Sequence, residues 1–339
     1  MIDLDGSYGE GGGQLVRMAT GLAAITGKAV RLSNVRARRD PPGLAPQHLA
    51  AVRAVAELCA AQTQGLELRA SGFTFVPQKR PSGGEVRVDV GTAGSVTLVL
   101  QALVPVLIAA TGPSRATIIG GTDVRYSPSW DYFVEVLLRH VSSMGLRVRA
   151  HLVRRGYYPR GGGEVVIEVE PGMPGPPGFP GMSGPAVSGS AHVSNLPRDI
   201  AERMRTSAEN ALGRDAAIAV TTSGATQAIG AGGAITLWAT AAGGLLGASR
   251  VAQRGVRAET IGREAGEELA LELAAAAMVD EHAADQVLVF LAMAAGSAGF
   301  TVRRVSSHAT TAMWLLEHFL PVKFEVVPER ALWRVRALM

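Results

Sequence analysis

The sequence contains very little cysteine and very little lysine. Cys59 is the single cysteine of the 339 residues, which excludes a disulfide scaffold and a cysteine-based zinc site and fits a reducing compartment. Only Lys28, Lys79 and Lys323 are lysines, so the other 30 of the 33 basic residues are arginines. Arginine binds phosphates well because its guanidinium is a rigid fork. A GC-rich genome, however, also produces an excess of arginine over lysine.

Long apolar runs and a targeting leader are missing as well. The acidic residues 1–5 do not form a charged-then-apolar leader, so we expect no secretion and a cytoplasmic location. The most apolar stretch, 96–110, is interrupted by Gln101 and Pro105 and is too short to span a bilayer, so it predicts a buried helix and no membrane partner. The net charge of +4 is compatible with a polyanionic partner but does not require one.

The chain has enough apolar residues to fold around a large core. Hydrophobic residues make up 47% and charged residues 18%, which excludes wholesale disorder. Three segments, 2–76, 83–152 and 161–169 continued by 285–337, share the element order βαβαββ. In the first segment the two closing strands are predicted at 66–70 and 73–76. One such unit cannot cover its own apolar faces, so three should pack into one domain.

The third segment is interrupted by an insertion. Residues 171–185 carry glycine at every third position, which we interpret as a stiff, exposed linker. Strand and helix patterns follow it. We therefore predict an α+β fold in which a large domain, 1–179 and 278–339, contains three βαβαββ units, and a small α+β domain, 180–277, is inserted in the third unit.

A glycine-rich turn at residues 9–13 leads into the first helix. Backbone amides at such a helix start can hold phosphate oxygens. The turn is neither a Walker A loop nor a GxGxxG dinucleotide motif, and by itself it is more often only a turn. Glu10 and Arg17 favour a functional interpretation, because they place a metal-capable carboxylate and a phosphate-binding fork on either side of the loop.

Arginines are concentrated after the second strand. Arg36, Arg38 and Arg39 precede a DPPG turn and the pair Gln47 and His48. This segment is either a solvated basic turn or an anion clamp that returns to the glycine turn, and its residues do not decide between the two.

Of the seven histidines, His308 has the most suggestive position. It follows a predicted strand at the start of a helix, where the helix dipole disfavours the imidazolium. A neutral, nucleophilic nitrogen would then be available near neutral pH, although a capping or packing role is the ordinary alternative. The sequence has no His, Cys, Asp or Glu cluster with metal-ligand spacing and no GxSxG nucleophile motif.

Seven strings taken together resemble the RNA 3′-terminal phosphate cyclase family. They are GSYGEGGGQLVR near the start, RARRDPPGLAPQHL from Arg36, GTAGSVTLVLQ from Gly91, GGTDVRYSP from Gly120, RGYYPRGGGEV from Arg155, EHAADQ from Glu281 and SSHATTAMWLLEHFLP from Ser306. They follow the family in collinear order over most of the chain, and the likeness is weakest in the insertion.

The resemblance implies a ligase that uses ATP to convert an RNA 3′-phosphate end to a 2′,3′-cyclic phosphodiester, with release of AMP and pyrophosphate. It also implies the family's fold, which is similar to the α+β fold predicted above. His308 matches the catalytic nucleophile that forms a histidyl-AMP intermediate, and Glu10 matches the ligand of a divalent metal, Mg or Mn. Gln101, Pro128, His282, Asp285 and Gln286 match the ATP contacts; Arg17, Arg36, Arg39, Gln47 and His48 match the contacts to phosphate and the RNA end.

Two positions depart from the family pattern. His282 stands where some members have a tyrosine that stacks on adenine, and residues 250–255 differ from the usual Gly-Glu-Arg-Gly. Three alternatives to this enzyme stay open. The chain could be a non-catalytic relative that binds RNA during ribosome assembly, an enzyme similar to the enolpyruvyl transferases, or a plain RNA-binding module. The ribosome-assembly relatives lack the nucleophilic histidine, whereas His308 is present here.

Overall fold

The computed structural model describes residues 1–178, 186–241, 243–294 and 296–338. Within residues 171–178 it contains neither helix nor strand, while the rest of the expected linker, including the expected domain boundary at 179–180, lies outside the described residues. The described part of the chain contains no helix that is long and apolar enough to cross a membrane.

Helices and strands occur throughout the described part of the chain. The helices are α1 (Gly13–Thr26), α2 (Pro46–Leu58), α3 (Val96–Ile108), α4 (Trp130–Tyr132), α5 (Leu138–Ser143), α6 (Arg198–Leu212), α7 (Ala258–Ala275), α8 (Glu281–Met293) and α9 (Ser307–Phe319), with a π-helical segment, Phe133–Leu137, between α4 and α5. The strands are β1 (Ile2–Asp5), β2 (Val30–Ser33), β3 (Gln62–Gln64), β4 (Phe73–Val76), β5 (Gly84–Asp89), β6 (Ser114–Gly120), β7 (Val148–Arg154), β8 (Gly163–Val169), β9 (Val187–Ser194), β10 (Ala216–Ser223), β11 (Gly232–Ala241), β12 (Gly244–Val251), β13 (Ala298–Val302), β14 (Lys323–Glu329) and β15 (Leu332–Leu338).

Three mixed or antiparallel sheets share one hydrophobic core. The first sheet has the order β1-β2-β4-β3 and the second β5-β6-β8-β7; in each, the first pair is parallel and the other pairs are antiparallel. The third, β13-β15-β14, is antiparallel throughout. Buried side chains of α1, α2, α3, α8 and α9 join all three sheets in this core. The fold is therefore α+β, as expected from the sequence, whereas the threefold repeat stays a prediction.

One expected strand is wrong. Residues 66–70 form turns, and the strand that closes the first sheet is β3, Gln62–Gln64, which pairs with β4. All three β3 side chains are exposed. An edge strand without buried side chains shows no apolar alternation, so its sequence carries no strand signal.

A fourth sheet has its own core. It has the order β10-β9-β11-β12, and α6 and α7 pack against it. The two helices approach closely because α7 carries glycine at the contact: a Cβ added to Gly262 would lie 2.0 Å from the Met204 carbonyl oxygen. This small α+β unit falls within the insertion expected from the sequence, while the division into two domains stays a prediction.

A buried ionic cluster connects the fourth sheet to the second. Arg155, the first residue of the RGYYPRGGG string, lies 3.0 Å from Asp123 and 2.9 Å from Asp131. His192 of β9 lies 3.3 Å from Asp131 through Nδ1. Burial disfavours ionised carboxylates, but Arg155 and His192 hold the pKa of Asp123 below its usual range. His192 therefore links the fourth sheet to the two aspartates that Arg155 holds.

Candidate active site

Three helices from distant parts of the chain, α1, α3 and α8, bring polar side chains to one cleft. Helix α1 packs against α3 and α9, and α8 packs against α9. The polar residues that line the cleft are Gln14, Arg17, Gln101, Asp285 and Gln286. The remaining walls are largely apolar, with side chains such as Met18 and Phe290. A polar rim on an apolar cleft is typical of small-molecule sites.

The turn before α1 depends on glycine because other elements come close to it. Gly9 has φ +57°, and a Cβ on it would lie 2.2 Å from the Thr311 hydroxyl oxygen of α9. A Cβ on Gly13 would lie 1.9 Å from Nε2 of His48 on α2. Any larger residue at these positions would push α9 or the His48 ring away. The glycines thus allow Glu10, between them, to reach His308.

His308 is the second residue of α9. The Ser306 hydroxyl caps the helix by accepting a hydrogen bond from the Ala309 amide at 3.1 Å. Nδ1 of His308 lies 2.9 Å from Oε1 of Gln14 and 2.5 Å from Oε2 of Glu10. Both neighbours are acceptors, so the proton of a neutral imidazole resides on Nδ1. Nε2 then carries a free lone pair.

Gln14 is held in the orientation that this arrangement requires. Its Nε2 donates to Oδ2 of Asp285 at 2.7 Å, so its Oε1 is the atom that faces His308. The Asp285–Gln14–His308 chain therefore determines which imidazole nitrogen is protonated, much as a carboxylate orients a metal-binding or catalytic histidine.

The surroundings of His308 favour the neutral ring. Its side chain is 46% exposed. Partial burial lowers the pKa of His308, Glu10 opposes the shift, and Arg17 and Arg39 reinforce it, so the pKa lies below the ordinary value. The ring is therefore both accessible and uncharged at neutral pH.

Arg17 is a buried cation with spare hydrogen-bonding capacity. Only 6% of the residue is exposed. Its Nη2 donates to Oε1 of Gln101 at 3.2 Å, while Nε has no hydrogen-bond partner among the described residues. Burial lowers the pKa of Arg17 to about 10, so the guanidinium stays charged at neutral pH. A buried cation with an unused N–H is suited to an anionic ligand.

The nucleotide contacts expected on α3 and α8 lie side by side. Nε2 of Gln101 donates to Oε1 of Gln286 at 2.7 Å, and Nε2 of Gln286 donates to the His282 carbonyl oxygen at 2.8 Å. Burial raises the pKa of Asp285 to about 7, against the opposing effect of His282 and Arg17. Gln101 and Gln286 thus form one hydrogen-bonded network with Arg17, and their contacts to a nucleotide stay predictions.

His282 has a partner of its own. Its side chain is 62% exposed, and its Nε2 lies 2.8 Å from Oε1 of Glu268 on α7. Glu268 also forms an ion pair with Arg250 of β12. The hydrogen bond that Nε2 of His282 donates to the Glu268 carboxylate raises the pKa of His282 to about 9. His282 therefore links α8 to the fourth sheet, and its stacking on adenine stays a prediction.

The three arginines of the basic segment have different surroundings. Arg39 forms an ion pair with Glu10 at the glycine turn. Arg36, at φ +50°, donates through Nη1 to the carbonyl oxygens of Pro41 and Gly43, at 3.1 and 2.7 Å, and so closes its own loop. Arg38 is exposed. The pKa of Asp5 is lowered by hydrogen bonds from Ser7 and Asn34, and the charge of Arg38 adds the smallest contribution.

The remaining predicted residues support the loops around the cleft. Oε1 of Gln47 accepts from the Ser95 amide at 2.9 Å, and Nδ1 of His48 accepts from the Ala45 amide at 3.2 Å. Burial lowers the pKa of His48 to about 2. The Pro128 carbonyl accepts from the Thr97 hydroxyl at 2.8 Å, and its ring is partly exposed. Contacts of these residues to RNA or ATP stay predictions.

A metal ion would find one protein carboxylate beside His308, that of Glu10. The described residues contain no group of three or more His, Cys, Asp or Glu that could hold a metal by themselves. Mg²⁺ is commonly held by one or two carboxylates together with substrate phosphates and water. Glu10 therefore fits a metal that is shared with a phosphate ligand and does not fit an all-protein site.

Gln14 is the functional residue that sequence reasoning missed. It appears in the GSYGEGGGQLVR string, but no role was inferred for it. Its hydrogen bond to His308 spans 294 positions of the chain. The one local signal was a primary amide directly after the glycine turn, at the start of a helix.

Substitution of Gly13 by alanine should destabilise the protein by about 1–3 kcal/mol, because the new Cβ overlaps the buried His48 ring. Urea unfolding measures the effect. Gly21→Ala is the matched control on the same helix, since its Cβ would meet only ordinary contacts at 3.4 Å or more. In the His48→Ala background the Gly13 substitution should cost nothing. Equal stability of Gly13→Ala and Gly21→Ala would contradict this explanation.

Comparison with known proteins adds independent information. The family model for RNA 3′-terminal phosphate cyclase matches residues 8–326. A protein of that name from Nitrosospira multiformis is 51% identical over 99% of this chain and 96% of its own length. One from Methanopyrus kandleri is 44% identical over 96% of this chain and 95% of its own length.

A solved structure of the enolpyruvyl transferase NikO from Streptomyces tendae also matches. The match covers 98% of this chain and 47% of that chain, at 10% sequence identity and a TM-score of 0.40. This likeness is too weak to support an argument about the fold or the function.

Proposed function

Because the chain belongs to the RNA 3′-terminal phosphate cyclase family, we propose that it converts an RNA 3′-phosphate to a 2′,3′-cyclic phosphodiester, with conversion of ATP to AMP and pyrophosphate. The observation that carries this proposal is the half-exposed His308 ring, whose Nδ1 faces Gln14 and Glu10. The neutral ring keeps a free lone pair on Nε2, as a nucleophile requires. Arg17 and Arg39, which can bind phosphates, lie near it.

The first step is transfer of AMP to the enzyme. Nε2 of His308 attacks the α-phosphorus of ATP, an N–P bond forms, and the bond from that phosphorus to the bridging oxygen breaks, so that pyrophosphate leaves. The imidazole becomes positively charged as the N–P bond forms. The Glu10 carboxylate, 2.5 Å from Nδ1, stabilises that charge. Arg17 and Arg39 offset the negative charge on the phosphates.

The second and third steps use the RNA end. An oxygen of the 3′-phosphate attacks the phosphorus of histidyl-AMP, which releases the neutral imidazole and leaves AMP joined to the RNA. The vicinal 2′-hydroxyl then attacks the 3′-phosphorus, loses its proton to solvent and expels AMP. Because this hydroxyl is already held next to the phosphorus, proximity supplies much of the rate.

The polar rim of the cleft accounts for the ligands that this chemistry requires. We assign the nucleotide to Gln101, Asp285 and Gln286, with Pro128 and His282 beside the base. We assign the binding of the RNA phosphate to Arg39, together with Arg36, Gln47 and His48. A divalent metal, Mg or Mn, would be held by Glu10 and would neutralise phosphate charge when bound.

Substitution of Glu10 by alanine should slow adenylation and weaken its dependence on metal concentration, because both the metal ligand and the partner of the His308 Nδ1 are lost. The measurement is a titration of Mg or Mn against the initial rate of protein labelling from α-labelled ATP. Glu10→Gln keeps the shape and an acceptor oxygen but removes the charge, and it should retain more activity than Glu10→Ala. An unchanged metal titration in Glu10→Ala would contradict the metal role.

The proposed activity is tested by incubating the protein with α-labelled ATP and metal, with and without an RNA oligonucleotide that bears a 3′-phosphate. We expect labelled protein without RNA, and loss of that label together with formation of a cyclic end when RNA is added. A non-catalytic RNA-binding relative would bind the RNA and leave the protein unlabelled. That result would overturn the proposed function.

A further inference from the structure

One exposed arginine outside the predicted site residues has a backbone conformation that favours glycine. Arg69 has φ +68°, and its side chain is exposed. Residues other than glycine rarely adopt this left-handed conformation, which glycine adopts without strain. Strained residues are concentrated at binding and catalytic sites. The guanidinium of Arg69 is therefore a candidate for a ligand contact.

The segment that carries Arg69 is hydrogen-bonded to the loop that follows β2. The Arg69 amide donates to the Leu44 carbonyl oxygen at 2.9 Å, and the Leu44 amide donates to the Ala70 carbonyl oxygen at 3.1 Å. The two backbones are so close that a Cβ on Gly43, which has φ +77°, would lie 2.2 Å from the Arg69 carbonyl oxygen. Arg69 is therefore held beside the loop that Arg36 closes.

Arg36, Arg39 and Arg69 form a group that we call the arginine cluster. The pKa of Arg36 is lowered first by burial and then by the charges of Arg39 and Arg69, so both of these guanidiniums lie close to it. Arg39 pairs with Glu10. In the part of the chain that the structure describes, neither Arg36 nor Arg69 forms an ion pair with a carboxylate. Three positive charges that share one negative charge attract an anionic ligand.

The arginine cluster starts at the proposed reacting centre. Glu10 lies 2.5 Å from Nδ1 of His308, and its partner Arg39 is assigned to the RNA 3′-phosphate. A nucleic-acid strand carries one phosphate per nucleotide, so a phosphodiester follows one nucleotide away from that 3′-phosphate. Arg36 uses Nη1 for the carbonyl oxygens of its own loop. Arg69 is exposed, and its guanidinium makes no hydrogen bond to any other described residue.

We propose that Arg69 binds the phosphodiester that joins the 3′-terminal nucleotide to the one before it. This rests on the proposed function and deepens it, because the substrate is then the end of an oligonucleotide and not a nucleoside 3′-phosphate, which lacks this phosphodiester. The planar guanidinium can bind both free oxygens of a phosphodiester. Because the contact involves no base, it should be equally strong for all RNA sequences.

The test compares two 12-nucleotide RNAs with a 3′-phosphate, one of which has a neutral methylphosphonate at its last linkage. Both carry a 2′-O-methyl group on the penultimate nucleotide, so that its hydroxyl cannot cleave the neutral linkage. By fluorescence anisotropy without ATP, the unaltered protein should bind the neutral RNA about tenfold more weakly, as expected for one lost charge-assisted contact. Arg69→Gly should bind the ordinary RNA about tenfold more weakly and should no longer distinguish the two RNAs.

The choice of glycine separates binding from folding. Because glycine adopts φ +68° without strain, Arg69→Gly should unfold at a urea concentration close to that of the unaltered protein. Arg69→Lys keeps a charge but loses the planar fork, so it should recover part of the discrimination. Arg330→Gly is the matched control: Arg330 is exposed, has φ +56° and acts on the pKa of Glu329 beyond β14 and β15's shared turn. It should change neither Kd.

ATP also carries phosphates, so the KM for ATP in protein labelling separates the two possible ligands. This KM should not change in Arg69→Gly. An unchanged Kd for the ordinary RNA in Arg69→Gly, a preference for the ordinary RNA that persists in this variant, or a raised KM for ATP alone would overturn the proposal. Because the Kd is measured without ATP, a protein that binds RNA in this way but is never labelled would refute the proposed function alone.

Discussion

Replacement of His308 by alanine should reduce transfer of label from α-labelled ATP to the protein by a factor on the order of 10³ or more. The reason is that Nε2 of this ring forms the covalent bond, and the methyl group of alanine cannot do so. Samples quenched with detergent at alkaline pH and resolved by electrophoresis measure the labelled protein.

The control for this substitution is another exposed histidine. His151 lies on β7 and is exposed, so His151→Ala should be labelled at the rate of the unaltered protein. An acid-labile adenylate that persists in His308→Ala would contradict the role of His308 as nucleophile.

Replacement of Arg17 by alanine should lower the rate of adenylation by about 10²–10³-fold, the usual cost of losing one preorganised donor to a developing charge. Arg17 is buried, remains charged and has an Nε that is unpaired among the described residues. Its loss would therefore remove a fixed cation from the site. Single-turnover labelling at saturating ATP measures the effect.

Two further substitutions sharpen the result. Arg17→Lys keeps a charge but loses the planar fork, so it should recover part of the rate. Arg53→Ala removes an exposed arginine from α2 and should have no effect. A rate in Arg17→Ala within threefold of that of Arg53→Ala would show that Arg17 does not act on the phosphates.

The sequence predicted those elements whose side chains are buried on one face. The helix α3 lies close to the expected 96–110 and the strand β4 lies at the expected 73–76, because apolar periodicity records burial. Apolar periodicity did not predict β3, because every side chain of this strand is exposed. The π-helical segment at 133–137 also leaves no mark in the apolar pattern.

The sequence indicated several side chains that lie near one another in the structure, but not the contacts that they make; their roles stay predictions. Motif resemblance indicated His308, Glu10 and Arg17, which the structure places together. It did not indicate that Gln14 would select the protonated nitrogen of His308, since this depends on two segments 294 positions apart. Nor did it indicate that His48 would be buried under Gly13, because burial depends on how α2 packs against the glycine turn.

The most direct test of this account locates AMP on the protein. The protein is incubated with ATP and metal without RNA, digested at alkaline pH, where a phosphoramidate survives, and analysed by mass spectrometry with fragmentation. We predict one AMP on the peptide that contains His308, attached to the ring of this residue. We also predict that this AMP is lost when RNA with a 3′-phosphate is added to the adenylated protein before digestion. AMP on any other residue, or cyclisation of RNA by a protein that never carries AMP, would contradict the central claim.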